Sequence, residues 1–348
     1  MLPGVFKNYK LRIRNYTLKM LKIKYLIFLG TCVAVLTACG PEGKKEEPKV
    51  EETPVVEKAH VVPPDFNADS AFTFVKAQAD MGPRTPGSKA HDMAVAYYEK
   101  QFKKYGADVI IQKGNVTSYD NKPWVLKNII ATYNPKATER VLLCAHWDSR
   151  PFADKDKDAG KHEKACPGVN DGASGVGVLM EIARQVSSKS PNVGIDIILF
   201  DLEDYGDNGG NPDTWCLGSQ YWSRNLHVPY YGAKFGVLLD MVGAKDAVFP
   251  REGLSREYAG QYVNKIWGTA QKLGYGNYFI NQETPRMTDD HVAVNELAQI
   301  PCVDILHYNW QENEFFEHHH TTTDDINTID KKTLKAVGQT LLEVIYNE

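Results

Sequence analysis

The chain has 348 residues, of which 43% are hydrophobic and 11% aromatic, and its formal net charge is −4. This composition can supply a sizeable buried core, so it excludes a disordered or fibrous chain and predicts a globular protein. The charge is nearly balanced and no basic stretch is interleaved with aromatic residues, which argues against nucleic acid as a partner.

The N-terminal sixty residues differ in character from the rest of the chain. Basic residues up to Lys24 precede an apolar run from Tyr25 to Val35, which leads into Leu36-Thr-Ala-Cys39-Gly. This pattern resembles a bacterial lipoprotein signal, whose removal would leave a lipidated Cys39 at the N-terminus. An ordinary signal peptide or a short membrane anchor is the alternative, because the apolar run is shorter than the roughly 20 residues of a spanning helix.

This pattern divides the chain into three parts. We expect a signal peptide at residues 1–38, a disordered tether rich in Lys, Glu and Pro at 39–61, and a single catalytic domain at 62–348. The protein would be a monomer attached to the membrane of the bacterial cell envelope through Cys39, facing the periplasm or the exterior. Met20 begins a more typical signal than Met1 does, so the position of the start codon stays open.

Hydrophobic periodicity predicts helices and strands that alternate along the domain. Helices are predicted at residues 70–81, 88–105, 172–188, 217–226, 255–273, 290–298 and 331–346, and strands at 107–116, 126–133, 140–146, 195–201, 234–240 and 301–307. The alternation predicts an α/β fold with a mixed, largely parallel central sheet and helices on both faces. The first two strands are expected to form an antiparallel edge.

Four cysteines lie within the predicted domain. Cys144 and Cys302 lie in apolar strands and are expected to be buried thiols. Cys166 and Cys216 lie in polar loops and would either pair in an oxidising compartment or stay free, since their spacing does not decide between the two.

Four apolar runs end in side chains that can bind a metal or move a proton. The residues at or just after these ends are His146 and Asp148, Glu203 and Asp204, Asp240, and His307. Ligands of parallel sheets bind at the carboxyl ends of the strands. Together these residues predict a metal-dependent active site at that edge, although His307 is equally explained as a hydrogen-bonded core histidine.

Three loops add further candidate residues. Asp171 opens a helix, where it is either a functional carboxylate or an N-cap. Asp289 lies in a polar turn before another helix, for which Asp290 is a possible cap. The triple histidine that ends at His320 offers imidazole ligands to a zinc ion, and only one of the three need bind it. A solvent-exposed loop is the alternative. The adjacent acids Glu203 and Asp204 could likewise form a solvated loop or divide metal binding and proton transfer.

These motifs, in this order, resemble the zinc-dependent aminopeptidase family that shares its fold with animal-type glutaminyl cyclases. The shared motifs are His146-x-Asp148, Asp171-Gly-Ala-Ser-Gly, Glu203-Asp204, Asp240 and His320-Thr-Thr-Thr-Asp324. Several shorter sequence segments resemble the cyclases more than the aminopeptidases: residues 144–150, 238–244, 289–291 and 300–307, and the insertion at residues 205–217.

The resemblance implies a glutaminyl-peptide cyclotransferase, an acyltransferase that converts the N-terminal glutamine of peptides and proteins to pyroglutamate and releases ammonia. It implies one zinc per chain, bound by Asp171, Asp204 and His320. Glu203 would be the general acid and base, and Asp240 and Asp289 would complete a proton network. In related peptidases the positions of His146 and Asp240 bind a second metal, which a cyclase would lack.

Two positions depart from the family pattern. Asp204 stands where many relatives have glutamate, and His319 stands where animal cyclases usually have tryptophan. The substrate pocket is expected to contain Trp215, Phe315, His319 and His307, with ordinary loop packing as the alternative for Trp215. Two other functions stay open: a di-zinc aminopeptidase, and an inactive surface lipoprotein that binds peptides.

Overall fold

The computed structural model describes residues 59–348, which form one compact unit. The predicted signal peptide, Cys39 and nearly all of the predicted tether lie outside the described residues, so those expectations stay predictions. Within residues 59–348 no helix has the length and apolar character needed to cross a bilayer.

The strands are those that the apolar runs predict, together with four short ones. Their bounds are β1 Asp108–Thr117, β2 Pro123–Tyr133, β3 Arg140–His146, β4 Gly194–Phe200, β5 Phe235–Asp240, β6 Phe249–Arg251, β7 Phe279–Glu283, β8 Cys302–Leu306, β9 Tyr308–Asn309 and β10 Glu314–Phe315. Six of them form the central sheet in the order β1-β2-β4-β3-β5-β8. The β4-β3-β5-β8 part is parallel, and β1 and β2 are antiparallel, as predicted.

Seven helices lie at the predicted places. They are α1 Ala68–Ala79, α2 Lys89–Lys104, α3 Ala173–Ser188, α4 Leu217–Arg224, α5 Gly253–Lys272, α6 Asp290–Glu296 and α7 Lys331–Tyr346. Successive strand residues point to opposite faces: Leu143 belongs to the core that α3 covers, whereas Leu142 and Cys144 belong to the core under α4 and α6. The predicted α/β fold with helices on both faces is therefore confirmed.

All four cysteines of the described residues are free and buried. Burial of Cys144 and Cys302 agrees with their place in apolar strands. Cys166 and Cys216 do not pair; the Cys166 thiol lies 3.6 Å from the carbonyl oxygen of Phe152 instead.

Candidate metal and proton-transfer site

The carboxyl ends of the parallel strands bring the predicted polar residues to one edge of the sheet. His146 ends β3 and lies opposite Phe200, the last residue of β4, so the turn that contains Glu203 and Asp204 begins beside it. Asp240 ends β5 and pairs in register with Leu306, the last residue of β8. Parallel pairing therefore places these strand ends close together.

A set of zinc-type ligands lies at the centre of this edge. Nε2 of His320 lies 2.9 Å from Oδ1 of Asp204 and 3.8 Å from Oδ2 of Asp171. The Asp204 oxygen is buried and has no hydrogen-bond partner among the described residues. An unpaired buried carboxylate is costly, and two carboxylates with one imidazole are a ligand set that zinc accepts. The residues present therefore fit a zinc ion.

His319 competes with Asp204 for a place in this set. Asp171, His319 and His320 have ligand atoms within 4.8 Å of one another. Nδ1 of His319, however, lies 3.0 Å from the ammonium of Lys155 and accepts its hydrogen bond, so the ring hydrogen is on Nε2, the nitrogen that lies 3.8 Å from Asp171. We therefore favour Asp204, whose buried oxygen has no other partner, as the third ligand.

Asp171 is not the cap of the helix that follows it. The N-cap of α3 is Gly172, and no side chain caps this helix. The carboxylate of Asp171 lies 2.9 Å from Nε2 of His146 instead. The buried carboxylate of Asp324 holds this turn, because it accepts the main-chain N–H groups of Asn170 and Asp171 at 2.9 and 3.1 Å. The capping interpretation of Asp171 is therefore wrong.

The helix-capping alternative for Asp290 is also wrong. Asp289 is the N-cap of α6, and its side chain accepts the N–H of Asp290 at 2.5 Å. Asp290 is fully buried, and burial together with the nearby Asp289 raises its pKa to about 8. A buried acid of this kind holds its proton near neutral pH.

His146 connects the zinc-type ligands to a second cluster. Its Nε2 lies 3.3 Å from Oδ1 of Asp240 as well as 2.9 Å from Asp171, and the three side chains have ligand atoms within 4.8 Å of one another. Burial alone would lower the pKa of His146, but the nearby carboxylates of Asp148, Asp171 and Asp240 raise it well above the ordinary value. This cluster has the residue types of a second metal site and can equally hold a proton.

A group of buried acids lies beside the two clusters. Ligand atoms of Glu203, Cys216 and Asp289 lie within 4.8 Å of one another. Burial raises the pKa of Asp240 to about 6, that of Asp289 to about 7, and that of Glu203 well above its usual value. Crowded acids in a desolvated site cannot all ionise, so at least one proton is shared among them, as in the proton network that the resemblance implies.

Asp148 orients the acidic pair, a role that sequence analysis does not assign to it. Its two carboxylate oxygens accept the main-chain N–H groups of Glu203 and Asp204, each at 3.2 Å. Asp148 is fully buried. The His146-x-Asp148 motif indicates that Asp148 is near the site, but the motif alone does not show which groups Asp148 contacts.

Arg150 and Asp154 support the imidazole of His320 and were also missed from sequence. The guanidinium of Arg150 forms two bonds to Asp154, at 2.8 and 2.6 Å, and Oδ1 of Asp154 lies 3.7 Å from Nδ1 of His320. Arg150 also lies 4.7 Å from the ring centre of Trp215, which stacks on His320 with an interplanar angle of 6°. The ring of His320 therefore stacks on an indole face, and the Asp154 carboxylate lies nearby without a hydrogen bond to Nδ1.

A cavity of about 500 Å³ opens over these groups. Asp171, Glu203, Asp240, Asp289 and His320 lie in its wall with Trp215, Phe315 and His319. The expected pocket residues Trp215, Phe315 and His319 therefore line this cavity. Trp215 faces the cavity, so it does more than pack against its own loop. His307 lines a neighbouring cavity of similar volume, which shares Phe315 and His319 with the first, so its part in the reaction pocket stays a prediction.

Known proteins resemble this chain in sequence and structure. The model of peptidase family M28 matches residues 128–345. Bacteroides thetaiotaomicron glutaminyl cyclase, solved with bound N-acetylhistamine, is 48% identical, with a TM-score of 0.81 over 82% of this chain and 100% of that one. A Zn-dependent exopeptidase from Parabacteroides distasonis is 47% identical, with the same TM-score and coverage.

A more distant relative is aminopeptidase YwaD of Bacillus subtilis, 28% identical over 235 residues. That match includes 63% of this chain but only 44% of the relative, so the chain spans less than half of the length of that protein. The family match covers more than half of the chain and includes every candidate ligand. The chain therefore belongs to peptidase family M28, within which it is similar to bacterial glutaminyl cyclases.

Proposed function

We propose that this protein is a zinc-dependent glutaminyl cyclase, which converts the N-terminal glutamine of peptides and proteins to pyroglutamate. The observation that carries the proposal is the close approach of the Glu203 and Asp289 carboxylates beside the zinc-type ligands. A buried acid pair of raised pKa can take a proton and give it back, as cyclisation requires. The 48% identity to a glutaminyl cyclase over the whole of that chain supports the same function.

Cyclisation joins two groups of one residue. The α-amine attacks the side-chain amide carbon, a new C–N bond forms, and the old C–N bond breaks to release ammonia. The enzyme must therefore hold the glutamine in a folded shape in which the two groups meet. Trp215, Phe315 and His319 line the cavity and would hold the glutamine in that shape.

Glu203 is placed to move the proton. It lines the cavity, and its main-chain N–H is fixed by Asp148. The α-ammonium has a reference pKa of roughly 7.7 to 8.0, so a carboxylate can accept its proton near neutral pH at modest cost. Glu203 would accept this proton and return it to the leaving nitrogen, while Asp240 and Asp289 share the remaining charge.

Asp171, Asp204 and His320 would hold a single zinc ion. When bound, zinc supplies a Lewis acid that polarises the γ-carbonyl of the substrate. The indole of Trp215, which stacks on the ring of His320, would help to orient this ligand, since an oriented imidazole is a better ligand.

A di-zinc aminopeptidase is the second candidate, and the cluster of His146, Asp171 and Asp240 favours it as a ready second ligand set. Metal analysis of the purified protein separates the two. One zinc per chain agrees with the cyclase, whereas two tightly bound zinc ions with release of N-terminal leucine would establish the peptidase. A protein without bound zinc would favour an inactive, peptide-binding role.

The test of the proposed function is incubation of the zinc-loaded protein with a peptide that begins with glutamine. Mass spectrometry should show loss of ammonia with the peptide chain intact. A matched peptide that begins with leucine is the control and should be unchanged. Removal of the first residue from either peptide would contradict the proposal.

We further propose that the enzyme is a monomer held at the bacterial cell envelope by a lipid on Cys39. The basic and apolar residues before Leu36-Thr-Ala-Cys39 support this location. Labelled fatty acid should enter the expressed protein and should be absent from Cys39→Ala, and light scattering of the released protein should give the mass of one chain. Equal labelling of both proteins would contradict the lipid anchor.

A further inference from the structure

The segment before helix α4 runs alongside the turn that carries the acidic pair. The N–H of Cys216 donates to the carbonyl of Glu203, and the N–H of Leu217 donates to that of Leu202, each at 3.0 Å. Cys216 has a φ of +57°, a left-handed conformation that is uncommon for residues other than glycine. The main chain thus sets the Cys216 side chain beside that of Glu203.

The side chain of Cys216 does not cap the helix that it precedes. It is the N-cap of α4, yet it makes no capping hydrogen bond. Its Sγ lies 3.3 Å from Oε1 of Glu203, and the residue is only 3% exposed. Burial, with the neighbouring acid Glu203, raises the pKa of the Cys216 thiol well above its usual value, so the S–H group can donate.

Apart from the proton that the neighbouring acids share, the Cys216 thiol is the one hydrogen-bond donor within residues 59–348 to the carboxylate of Glu203. The nearest alternative, Nδ1 of His146, lies 3.9 Å from Oε2, which is beyond hydrogen-bond distance. Without the thiol, the three side-chain torsions of Glu203 would be limited only by packing and by the proton that it shares with its neighbouring acids.

We propose that Cys216 is a positioning residue that holds the Glu203 carboxylate toward the cavity through an S–H···O hydrogen bond. This inference rests on the proton-transfer role proposed for Glu203. A thiol suits the task because it is a weak donor: it orients the carboxylate but competes little for the oxygen that must accept a proton. A general base must lie within about 3 Å of its proton, so its orientation affects the rate more than it affects substrate binding.

The test compares the kinetics of three variants with those of the wild type on a glutamine-initiated peptide. Cys216→Ala should lower kcat about tenfold and leave KM within about twofold, because the lost bond acts on the base and not on the bound peptide. Cys216→Ser keeps a donor and should retain kcat within about threefold of wild type. Cys166→Ala is the matched control: it removes another buried thiol, whose contact is a main-chain carbonyl, and should leave kcat unchanged.

Zinc content and thermal unfolding are measured on the same samples, so that a loss of metal or fold is recognised. If Cys216→Ala does not fold, Cys216→Gly takes its place, because glycine adopts the observed φ without strain and also lacks a donor. Wild-type kcat in a zinc-loaded Ala or Gly variant, or a Ser variant as slow as Ala, would overturn the inference. No turnover by the wild type would contradict the proposed function instead, and the inference would fall with it.

Discussion

The replacement Asp148→Asn tests how the acidic pair is held. Asp148 is fully buried, and its two oxygens accept the N–H groups of Glu203 and Asp204 at 3.2 Å each. Asparagine has nearly the same shape but only one acceptor oxygen, so one N–H would face an amide NH₂ group. Leaving one buried main-chain N–H without its acceptor costs about 1 to 3 kcal/mol.

The expected cost of Asp148→Asn is therefore up to about 3 kcal/mol, divided between the stability of the fold and the geometry of the zinc ligands. Calorimetry should show a Tm lowered by roughly 5 to 10 °C, and chelator competition should show weaker zinc binding. Asp158→Asn is the control, because Asp158 accepts a single N–H in an exposed turn. If Asp148→Asn matched the wild type in Tm, zinc affinity and kcat, the assigned role of Asp148 would be wrong.

Three further predictions concern the proton, the buried acids and the pocket wall. Glu203→Gln should lower kcat by at least about 100-fold while zinc content is retained, because the amide cannot accept the proton; substantial cyclase activity would refute the assignment. Burial, with the nearby Asp289, raises the pKa of Asp290 from 3.8 to about 8, so its contribution to stability is complete below the lower value and is lost as pH rises through the higher one. The Tm of the metal-free protein should therefore fall between about pH 4 and about pH 8, and less so in Asp290→Asn; equal slopes would count against a buried proton there. Trp215→Ala should raise KM for glutamine peptides about tenfold and weaken zinc binding, because the stack on His320 is lost. Trp215→Phe keeps an aromatic ring and should have smaller effects. An unchanged KM in Trp215→Ala would show that the indole is not part of the pocket.

The parallel strands and the residues at their ends could be predicted from sequence. Runs such as 195–200 are apolar at nearly every position because both faces of the strand are covered, and this pattern needs no knowledge of the partners. The strands β6 and β7 were missed, because they are short and pair across α5, which lies between them in the chain. Short segments carry too little periodicity to be recognised.

The candidate ligands follow from residue type and order, but the groups that hold them do not. Asp324 contacts the main chain about 150 positions earlier, and Cys216 contacts a carboxylate 13 positions earlier. Neither contact leaves a pattern in spacing. For Asp171 the spacing is misleading: its position before a helix suggests an N-cap, whereas in the structure its carboxylate lies against His146.

The central claim is that the protein closes N-terminal glutamine into a ring and does not cleave the chain. The most direct measurement is the amount of ammonia released per glutamine-initiated peptide consumed, with the free α-amine of the peptide titrated in the same reaction. The proposed chemistry predicts one ammonia per peptide and an equal loss of reactive amine. Consumption of the peptide with release of free glutamine, no ammonia and a newly exposed amine would contradict it.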